Sequence, residues 1–562
     1  MDLKRSLITR THFDLAGIAL VSGLLVLVIF VHGIPSGNDL PEHYRFAQTF
    51  YAAMADGSIY PGWAANVNFG YGDAGVRFYP PFSYYVLGSA YGLTGDWRLA
   101  SVFAFWLWFF IGGAGVYFWG REYFSNNASL AAALAYTLAP YHVNQLFNAF
   151  TYAEFAAAGI LPFCFLFASR VSRYGRWRDI ALLGLAYGLL VLTHLPMTVM
   201  GSAALLVYCL FSIPGKQWIN TIARLGASVA LGLGLSAFYW VRMVTELALV
   251  RHSTAEFVSG EYSYQSNFLL SFFTAAGTDY LDRSLWFADA MLLFTAALML
   301  PSMLICYLKR PAGLSWLSGN LAVVIFAFLA ATPLSLPIWN SVGLLQKIQF
   351  PWRWLAVLTL GAVLFIAASF DILSTWFRSR RFRPLAIVVT GLACISFAFT
   401  GSQIIRPSVQ LPPSDFAGKI QGLSTGQSCE CWWPIWADRS ALSDRSPILV
   451  PGREARMIKD DGLERSFQIA AGPETDARLA VFYYPNWHAE MNGIETNARP
   501  GSDGTINVRI PDGDSELTIT FVESRPARAG LVASALSVFC LLVALYFGSR
   551  RPEPDPVLQR KE

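Results

Sequence analysis

The chain has 562 residues, of which 54% are hydrophobic and only 14% are charged, and its mean hydropathy is +0.43. Because soluble globular proteins carry about 25% charged residues, this composition excludes an ordinary soluble domain and predicts a membrane protein. The net charge of +4 is small and spread along the chain, which gives no support for a nucleic-acid partner.

The amino terminus predicts a first membrane span. A short basic segment, MDLKRSLITR, precedes a charge-free apolar run at residues 15–31. A signal peptide is the alternative, but no small-residue cleavage site follows the run and many more apolar runs do. Since about 20 apolar residues cross a bilayer as a helix, we predict a transmembrane helix with a cytoplasmic amino terminus.

Further apolar runs bring the expected number of spans to about twelve, with both chain ends inside. They cover residues 99–119, 128–141, 153–169, 179–195, 197–213, 223–241, 286–308, 317–334, 353–376, 384–402 and 528–548. Two runs are short enough to be tilted or re-entrant. The positive-inside rule supports this topology, because every strong basic cluster falls on one side, including those at 170–178 and 378–383.

The other side receives a first loop at residues 33–98 and a large insert. In the insert, LAVFYY, INVRI and LTITF alternate like strands. Dipeptides typical of hairpin turns separate them: Asn492-Gly493, Asp503-Gly504 and Asp512-Gly513. We predict an outer β-sandwich or jelly-roll-like domain. The predicted organisation is a transmembrane module at 1–402, the β-rich domain at 403–526, a final transmembrane helix at 527–549 and a cytoplasmic tail at 550–562.

Cys429 and Cys431 are separated by a single residue. A disulfide between residues so close in sequence would be strained, and no second pair completes a zinc site. We therefore infer no special role for the two cysteines, and the sequence leaves their state open.

Chemistry-bearing side chains are concentrated on the predicted outer side. They are Asp39, Glu42, His43 and Arg77 in the aromatic-rich stretch 37–82, and Glu154, His194 and Glu246 at later membrane boundaries. Charges near hydrocarbon are costly and usually face a cavity or a partner, so the set predicts an outward-facing polar cavity. For any single residue, solvation by headgroups and water is the alternative.

Asp39 is the strongest individual candidate. The sequence Asp39-Leu40-Pro41-Glu42 also has the pattern of a helix start, with Asp39 as N-cap and Pro41 in the first turn. A purely capping role is the alternative, although a capping position can also present a carboxylate at the edge of a cleft.

Arg353 stands between two tryptophans at the start of a predicted span, with Lys347 one to two turns away. A guanidinium forms paired hydrogen bonds with phosphate, but a Trp-Arg interfacial anchor is an equal alternative. The sequence has no P-loop or HExxH motif, and no dinucleotide fingerprint or nucleophile elbow stands out. If the protein is an enzyme, its activated substrate should arrive through the lipid.

The first loop resembles that of the GT-C class of membrane glycosyltransferases. An acidic residue, Asp39, follows the first span, and a Pro80-Pro81 pair precedes the second. The layout is similar to the lipid A aminoarabinose transferases and protein O-mannosyltransferases, and Glu154 in FTYAEFAAAGILPF matches a second acidic position of the class. This resemblance implies a polytopic helical membrane protein of GT-C-like fold.

A closer resemblance is to a bacterial and archaeal membrane family labelled as related to 6-pyruvoyl-tetrahydropterin synthase. The matching stretches are GNDLPEHYRFA, FGYGDAGVRFYPPFSYYV, LAPYHVNQLFNAFTYAEFAAAGILPF, VLTHLPMT, SAFYWVRMVTE and IQFPWRWL, which together cover most of residues 33–360. The histidine zinc cluster of the soluble pterin enzyme has no counterpart among these stretches.

The resemblance implies a role for each candidate residue. Asp39 would be the general base and Glu154 a second catalytic acidic residue. Arg353 would bind the donor's phosphate, and Lys347 is a further substrate-binding candidate. The remaining substrate-binding candidates are Glu42, His43, Arg77, His194 and Glu246. No cofactor is required. Asp39 is not part of a DxD pair, since Leu40-Pro41 separates it from Glu42, and a divalent metal stays an open option.

We expect an inverting glycosyltransferase of the bacterial cytoplasmic (inner) membrane, with its active site and β-domain facing out. Its donor would be a polyprenyl-phosphate-linked sugar and its acceptor an extracytoplasmic glycan, lipid or protein. One alternative is a transporter or flippase of lipid-linked glycans, although transporters tend to have repeated halves and midplane polar residues. The other is a non-catalytic scaffold in envelope assembly, for which Asp39 would be dispensable.

Overall fold

A computed structural model describes residues 2–58, 60–213, 218–253, 263–270, 279–309, 314–377 and 383–549. The helices in these ranges are α1 Asp2–His32, α2 Leu40–Ala55, α3 Phe82–Thr94, α4 Trp97–Arg121, α5 Asn126–Thr137, α6 Pro140–Phe147, α7 Tyr152–Tyr174, α8 Trp177–Val191, α9 Leu195–Ser212, α10 Trp218–Leu235, α11 Ala237–Glu246, α12 Asp279–Lys309, α13 Leu314–Ala331, α14 Leu336–Ser341, α15 Gly343–Gln346, α16 Leu355–Phe377, α17 Arg383–Ile405, α18 Pro413–Gln421 and α19 Arg525–Ser549.

The strands are short and most of them follow α18. They are β1 Ile34–Pro35, β2 Gln410–Leu411, β3 Ile448–Leu449, β4 Ala455–Asp460, β5 Glu464–Ile469, β6 Thr475–Phe482, β7 Trp487–Met491, β8 Ile494–Thr496, β9 Ala498–Pro500, β10 Thr505–Ile510 and β11 Ser515–Phe521. The predicted fold class, a polytopic helical protein with a C-terminal antiparallel β domain, is confirmed.

Eight helices of the described chain are long and apolar enough to cross a membrane, and a ninth span results if the bent pair Trp316–Ala331 and Pro333–Ser341 counts as one. The other three predicted runs contain α5, α8 and α17. Helix α5 has only 12 residues, or about 18 Å at 1.5 Å per residue, against a hydrocarbon core of about 30 Å. The number twelve therefore stays a prediction.

Small residues bring α4 and α7 close together. A Cβ atom added at Gly112 of α4 would lie 3.3 Å from the Cα atom of Gly159 in α7. A Cβ atom at Gly159 would lie 3.0 Å from the carbonyl oxygen of Trp108. Such close approach is the usual basis of helix packing in membranes. It fixes the amino-terminal end of α7, which carries Glu154, against the bundle.

The strands from Ile448 to Phe521 form the predicted sandwich. One sheet has the order β3-β6-β10-β9 and the other β4-β5-β11-β7-β8, with antiparallel pairing throughout. Leu479 and Val508 from the first sheet and Leu517 and Ile519 from the second are fully buried in a shared core. The hydrophobic residues that alternate with polar ones along these strands are therefore the residues that face the core of the sandwich.

Two of the three predicted hairpin turns are confirmed. Asn492 and Gly493 both have positive φ, as a type I′ turn requires, and join the paired strands β7 and β8. The turn with Gly504 joins β9 to β10, which also pair. The hairpin at Asp512-Gly513 is wrong, because β10 and β11 lie in different sheets and the turn carries the chain between them.

The residues between α17 and β3 pack on the first loop instead of joining the sandwich. Strand β1 pairs with β2, Arg45 Nε donates to the carbonyl oxygen of Leu423 at 2.9 Å, and the Asn68 N–H donates to that of Gly426 at 3.0 Å. The first loop and this segment thus form a single layer between the helix bundle and the β-sandwich.

Cys429 and Cys431, whose state the sequence leaves open, are joined in a disulfide. A short 3₁₀ turn, Glu430–Trp432, brings their Cα atoms to 5.2 Å. That separation is within the usual range for a disulfide.

Candidate active site

Helix α2 begins directly after Asp39, with Pro41 in its first turn, so the predicted helix start is confirmed. The carboxylate of Asp39, however, makes no capping hydrogen bond. At the start of α4, by contrast, the Asp96 carboxylate accepts from the N–H of Arg98 at 2.6 Å. Asp39 therefore occupies the capping position while its carboxylate stays available for other contacts.

The surroundings of Asp39 are enclosed although the residue is exposed to solvent. Burial raises the pKa of its carboxyl to about 6, with the charge of Arg353 opposing this and those of Glu154 and Glu42 adding to it. Solvent therefore reaches the Asp39 carboxylate, although many protein atoms surround it. A carboxyl with a pKa near neutrality is suited to accept a proton.

Glu154 and Arg353 form a buried ion pair beside Asp39. Arg353 Nε lies 2.9 Å from Glu154 Oε2, and the two side chains are 10% and 1% exposed. The contact lacks the alignment of a hydrogen bond, whereas the Tyr141 hydroxyl hydrogen-bonds to Glu154 Oε1. Glu154 lies in the first turn of α7 and Arg353 lies in the 3₁₀ turn that precedes α16. The pair therefore joins two helices that are far apart in sequence.

Arg353 retains donor capacity beyond its contact with Glu154. Its Nη1 donates to the carbonyl oxygen of Ile348 at 2.7 Å, and its guanidinium lies 4.8 Å from the centre of the Phe350 ring. None of the hydrogen bonds between described residues uses Nη2. The guanidinium can thus take an additional anionic oxygen without losing its contact with Ile348.

His194 and Glu42 lie close to this pair. His194 caps α9, where its Nδ1 accepts the N–H of Met197 at 3.2 Å. Burial and then the positive charge of Arg353 lower the pKa of His194 well below its usual value, which keeps the ring neutral. The carboxylate of Glu42 is ion-paired with Arg45 in the same helix.

His43 is an internal connector. Its side chain is buried, Nε2 accepts the N–H of Tyr152 at 3.1 Å, and Nδ1 lies 2.6 Å from the Tyr84 hydroxyl. Burial lowers the pKa of His43 to about 3. The neutral ring therefore ties α2 to the start of α7 and, through Tyr84, to α3.

Arg77 and Glu246 belong to a second ion cluster, apart from Asp39. Arg77 is fully buried and donates five hydrogen bonds, to Glu246, to Glu523 and to the carbonyl oxygen of Gly62. Burial raises the pKa of Glu246, but hydrogen bonds from Arg77 outweigh it and the net shift is downward. These donors and acceptors are saturated, so the cluster joins the first loop, α11 and the start of α19 structurally.

The structure thus brings together Asp39, Glu154 and Arg353, with Glu42 and His194 close by. Lys347 is exposed on the segment that leads to Arg353, and its charge acts on His252. Arg77 and Glu246 meet each other elsewhere, and His43 lies in the core. Their predicted role in substrate binding stays a prediction that this geometry does not support.

Sequence reasoning missed Tyr141 and Asp73. The Tyr141 hydroxyl fixes Glu154, and its place in the polar helix start LAPYH was the available signal. Asp73 is buried, accepts the Gly75 N–H at 2.8 Å, and has its pKa raised to about 6 by burial. Within the described residues, no group of three or more His, Cys, Asp or Glu side chains is arranged to hold a metal ion.

The sequence profile of a family of membrane proteins, described as the 6-pyruvoyl-tetrahydropterin synthase related domain, matches residues 76–404, more than half of the chain. The chain belongs to this family. The resemblance inferred from the sequence stretches is therefore confirmed for the PTPS-related membrane family. No protein with a curated description matches the chain.

Among solved structures, the chain is similar to arabinofuranosyltransferase AftD from Mycobacteria, with 16% identity and a TM-score of 0.46 over 72% of this chain and 27% of that one. It is also similar to the oligosaccharyltransferase AglB from Archaeoglobus fulgidus in complex with a dolichol-phosphate. The identity is 15% and the TM-score is 0.44, over 70% of this chain and 56% of that one. A third similar structure is ArnT from Cupriavidus metallidurans bound to undecaprenyl phosphate. The identity is 16% and the TM-score is 0.41, over 73% of this chain and 75% of that one. The PTPS-related chain spans about a quarter of the length of AftD.

Proposed function

We propose that this PTPS-related membrane protein is an inverting glycosyltransferase with Asp39 as its general base. Its donor is a sugar linked to polyprenyl phosphate, and its acceptor is an extracytoplasmic glycan, lipid or protein. The site would face the outside of the bacterial cytoplasmic membrane, where the positive-inside rule directs the first loop.

The observation that carries the proposal is the state of the Asp39 carboxylate. It is solvent-exposed, makes no capping hydrogen bond, and has its pKa raised to about 6 beside a buried arginine. A carboxylate with only a structural role would be expected to cap α2 or to be neutralised in an ion pair. A strongly perturbed carboxyl that solvent reaches is typical of catalytic sites.

One displacement is sufficient for the chemistry. The acceptor's oxygen or nitrogen attacks the anomeric carbon as Asp39 takes its proton, and the bond from that carbon to the phosphate oxygen breaks. The electron pair of this bond leaves with polyprenyl phosphate, so the configuration at the anomeric carbon inverts. General-base catalysis of this kind contributes about 10²- to 10⁴-fold.

Arg353 is the proposed ligand of the donor phosphate. It lies at the first turn of the apolar segment Pro351–Ser374, which is long enough to span a membrane, so a lipid-borne phosphate can reach it from the bilayer. Its Nη2 would donate to a phosphate oxygen and stabilise the charge that develops on the leaving group. Glu154, held by Tyr141, keeps the guanidinium in place and is too deeply buried to act as the base.

The test is donor consumption by the purified protein in vesicles, with a panel of radiolabelled polyprenyl-phosphate sugars. Loss of lipid-linked label and its appearance in product, in wild type but not in Asp39→Asn, supports transfer. Movement of intact donor across the vesicle supports the transporter, and equal behaviour of the two proteins supports the scaffold. Repeating the assay with a chelator decides whether a divalent metal participates; we propose that no cofactor is required.

A further inference from the structure

Aromatic rings extend from Asp39 along the water-facing segments of the protein. Burial and then the charge of Asp39 raise the pKa of Tyr79, which places the two side chains in electrostatic contact. The Tyr79 ring centre lies 5.8 Å from that of Trp432, and the Trp432 ring lies 4.7 Å from the ring of His252 with a tilt of 30°. Trp432 and His252 are both half-buried, so part of each ring faces solvent.

The turn that carries Trp432 is held in place from several directions. The disulfide described above closes it, and Glu430, the residue between the two cysteines, pairs with Arg251 at 3.4 Å. A Cβ atom added at Gly75 of the first loop would lie 3.1 Å from the Cβ atom of Trp432, so this glycine lets the turn approach the loop. Trp432 is thus a preorganised, partly exposed ring in a cluster with Phe46, Phe78 and Tyr79.

Lys347 is a cation whose charge acts on the His252 ring. Lys347 is exposed and makes no ion pair with any residue in the described ranges. Burial and then the charge of Lys347 lower the pKa of His252. The lowered pKa keeps the His252 ring beside Trp432 neutral. The ammonium of Lys347 is available to a ligand.

We propose that Trp432, His252 and Lys347 form the acceptor subsite, and that the acceptor is a saccharide carrying an acidic group. The inference rests on the proposed function and adds the class of acceptor. The C–H face of a sugar ring packs on the exposed part of the Trp432 ring, as apolar surfaces pack on aromatic side chains. A carboxylate or phosphate on the same saccharide pairs with Lys347.

The position of the three residues favours the acceptor over the donor. Arg353 begins an apolar span and so meets an anion that comes from the lipid. Trp432 and His252 lie on short 3₁₀ turns, Glu430–Trp432 and Arg251–Ser253, outside the apolar spans. A soluble or surface-bound saccharide would reach them from the aqueous side, with Tyr79 leading on to Asp39.

Binding to the full-length protein, without donor, tests the subsite. The probes are a panel of uronic-acid-bearing and phosphate-bearing oligosaccharides, their neutral counterparts and inorganic phosphate, measured by calorimetry in detergent. We expect acidic oligosaccharides to bind wild type, Trp432→Ala to weaken that binding by about tenfold or more, and Lys347→Gln to abolish the preference for acidic over neutral sugars. The matched controls are Trp177→Ala and Lys459→Gln, which alter exposed residues elsewhere and should bind as wild type.

The subsite is overturned if wild type binds none of the acidic oligosaccharides, if both variants bind like wild type, or if inorganic phosphate competes as well as the saccharides. Failure of the proposed function is distinguishable from this. A wild type that binds acidic saccharides through Trp432 but never consumes donor refutes the transferase and leaves a saccharide site. A wild type that transfers sugar with an acceptor KM unchanged by Trp432→Ala and Lys347→Gln refutes the subsite and leaves the transferase.

Discussion

Arg353 Nε lies 2.9 Å from Glu154 Oε2, and the pair joins the first turns of two apolar helices at one end of the bundle. The Tyr141 hydroxyl holds the other oxygen of Glu154. With Arg353 neutralised in this way, the exposed carboxylate of Asp39 is the uncompensated charge of the three. The division into a positioning pair and a reactive carboxylate leads to the following predictions.

Glu154→Gln should lower the free energy of unfolding by about 3 kcal/mol, because it leaves the buried charge of Arg353 without a partner. Thermal unfolding in detergent measures the loss. The double variant Glu154→Leu/Arg353→Met removes both charges and should recover most of that stability. A single variant as stable as wild type would show that the pair is not buried.

Asp39→Ala and Asp96→Ala should have opposite effects on stability and activity. The Asp96 carboxylate caps α4, so its loss should cost about 1 kcal/mol of stability with little effect on sugar transfer. The Asp39 carboxylate makes no capping bond, and its ionisation opposes folding because its pKa is raised, so its loss should leave stability unchanged or raised and should abolish transfer. A large drop in stability for Asp39→Ala would instead indicate a capping role.

Sugar transfer should rise with pH through about 6, the pKa of Asp39, because only the ionised carboxylate accepts a proton. Arg353 lowers this pKa, so Arg353→Gln should move the midpoint of any residual activity to higher pH. The pKa is raised above the usual value of 3.8, so ionisation of Asp39 opposes folding. Wild type should accordingly lose stability relative to Asp39→Asn as the pH rises from about 4 to about 6.

Arg77→Met should lower the free energy of unfolding by about 3 to 5 kcal/mol, since it leaves the buried carboxylate of Glu246 without its cationic partner, whereas Glu523 keeps its ion pair with Arg242. The matched control is Arg499→Met, which breaks an exposed pair with Asp476 and should cost less than about 1 kcal/mol. In the folded fraction of Arg77→Met, the KM for the acceptor should stay unchanged. A raised KM with normal stability would restore Arg77 as a substrate ligand.

Local signals in the sequence predicted local structure well. The start of α2 after Asp39 follows from a capping residue and a proline in the first turn, and the turn at Asn492-Gly493 follows from its need for positive φ. The turn at Asp512-Gly513 looks equally like a hairpin, but turn chemistry does not determine which sheet the next strand joins. That choice depends on burial of β11 beside β5 and β7.

Contacts between distant segments could not be predicted from these patterns. Arg77 and Glu246 are 169 residues apart, and each alone reads as a charge at a membrane boundary. Only the folded chain shows that they neutralise each other, while Arg353 and Glu154 do the same next to Asp39. The disulfide of Cys429 and Cys431 could not be predicted for a related reason, because the 3₁₀ turn that allows it depends on packing against the first loop.

The most direct test of Asp39 as the general base is rescue of Asp39→Ala by azide, a nucleophile that has no proton to lose. With a radiolabelled polyprenyl-phosphate sugar that wild type consumes, Asp39→Ala should be inactive alone and should release a glycosyl azide of inverted anomeric configuration when azide is added. Wild type and Asp96→Ala should gain little from azide. Sugar transfer by Asp39→Ala at the wild-type rate without azide, or a glycosyl azide of retained configuration, would contradict the account.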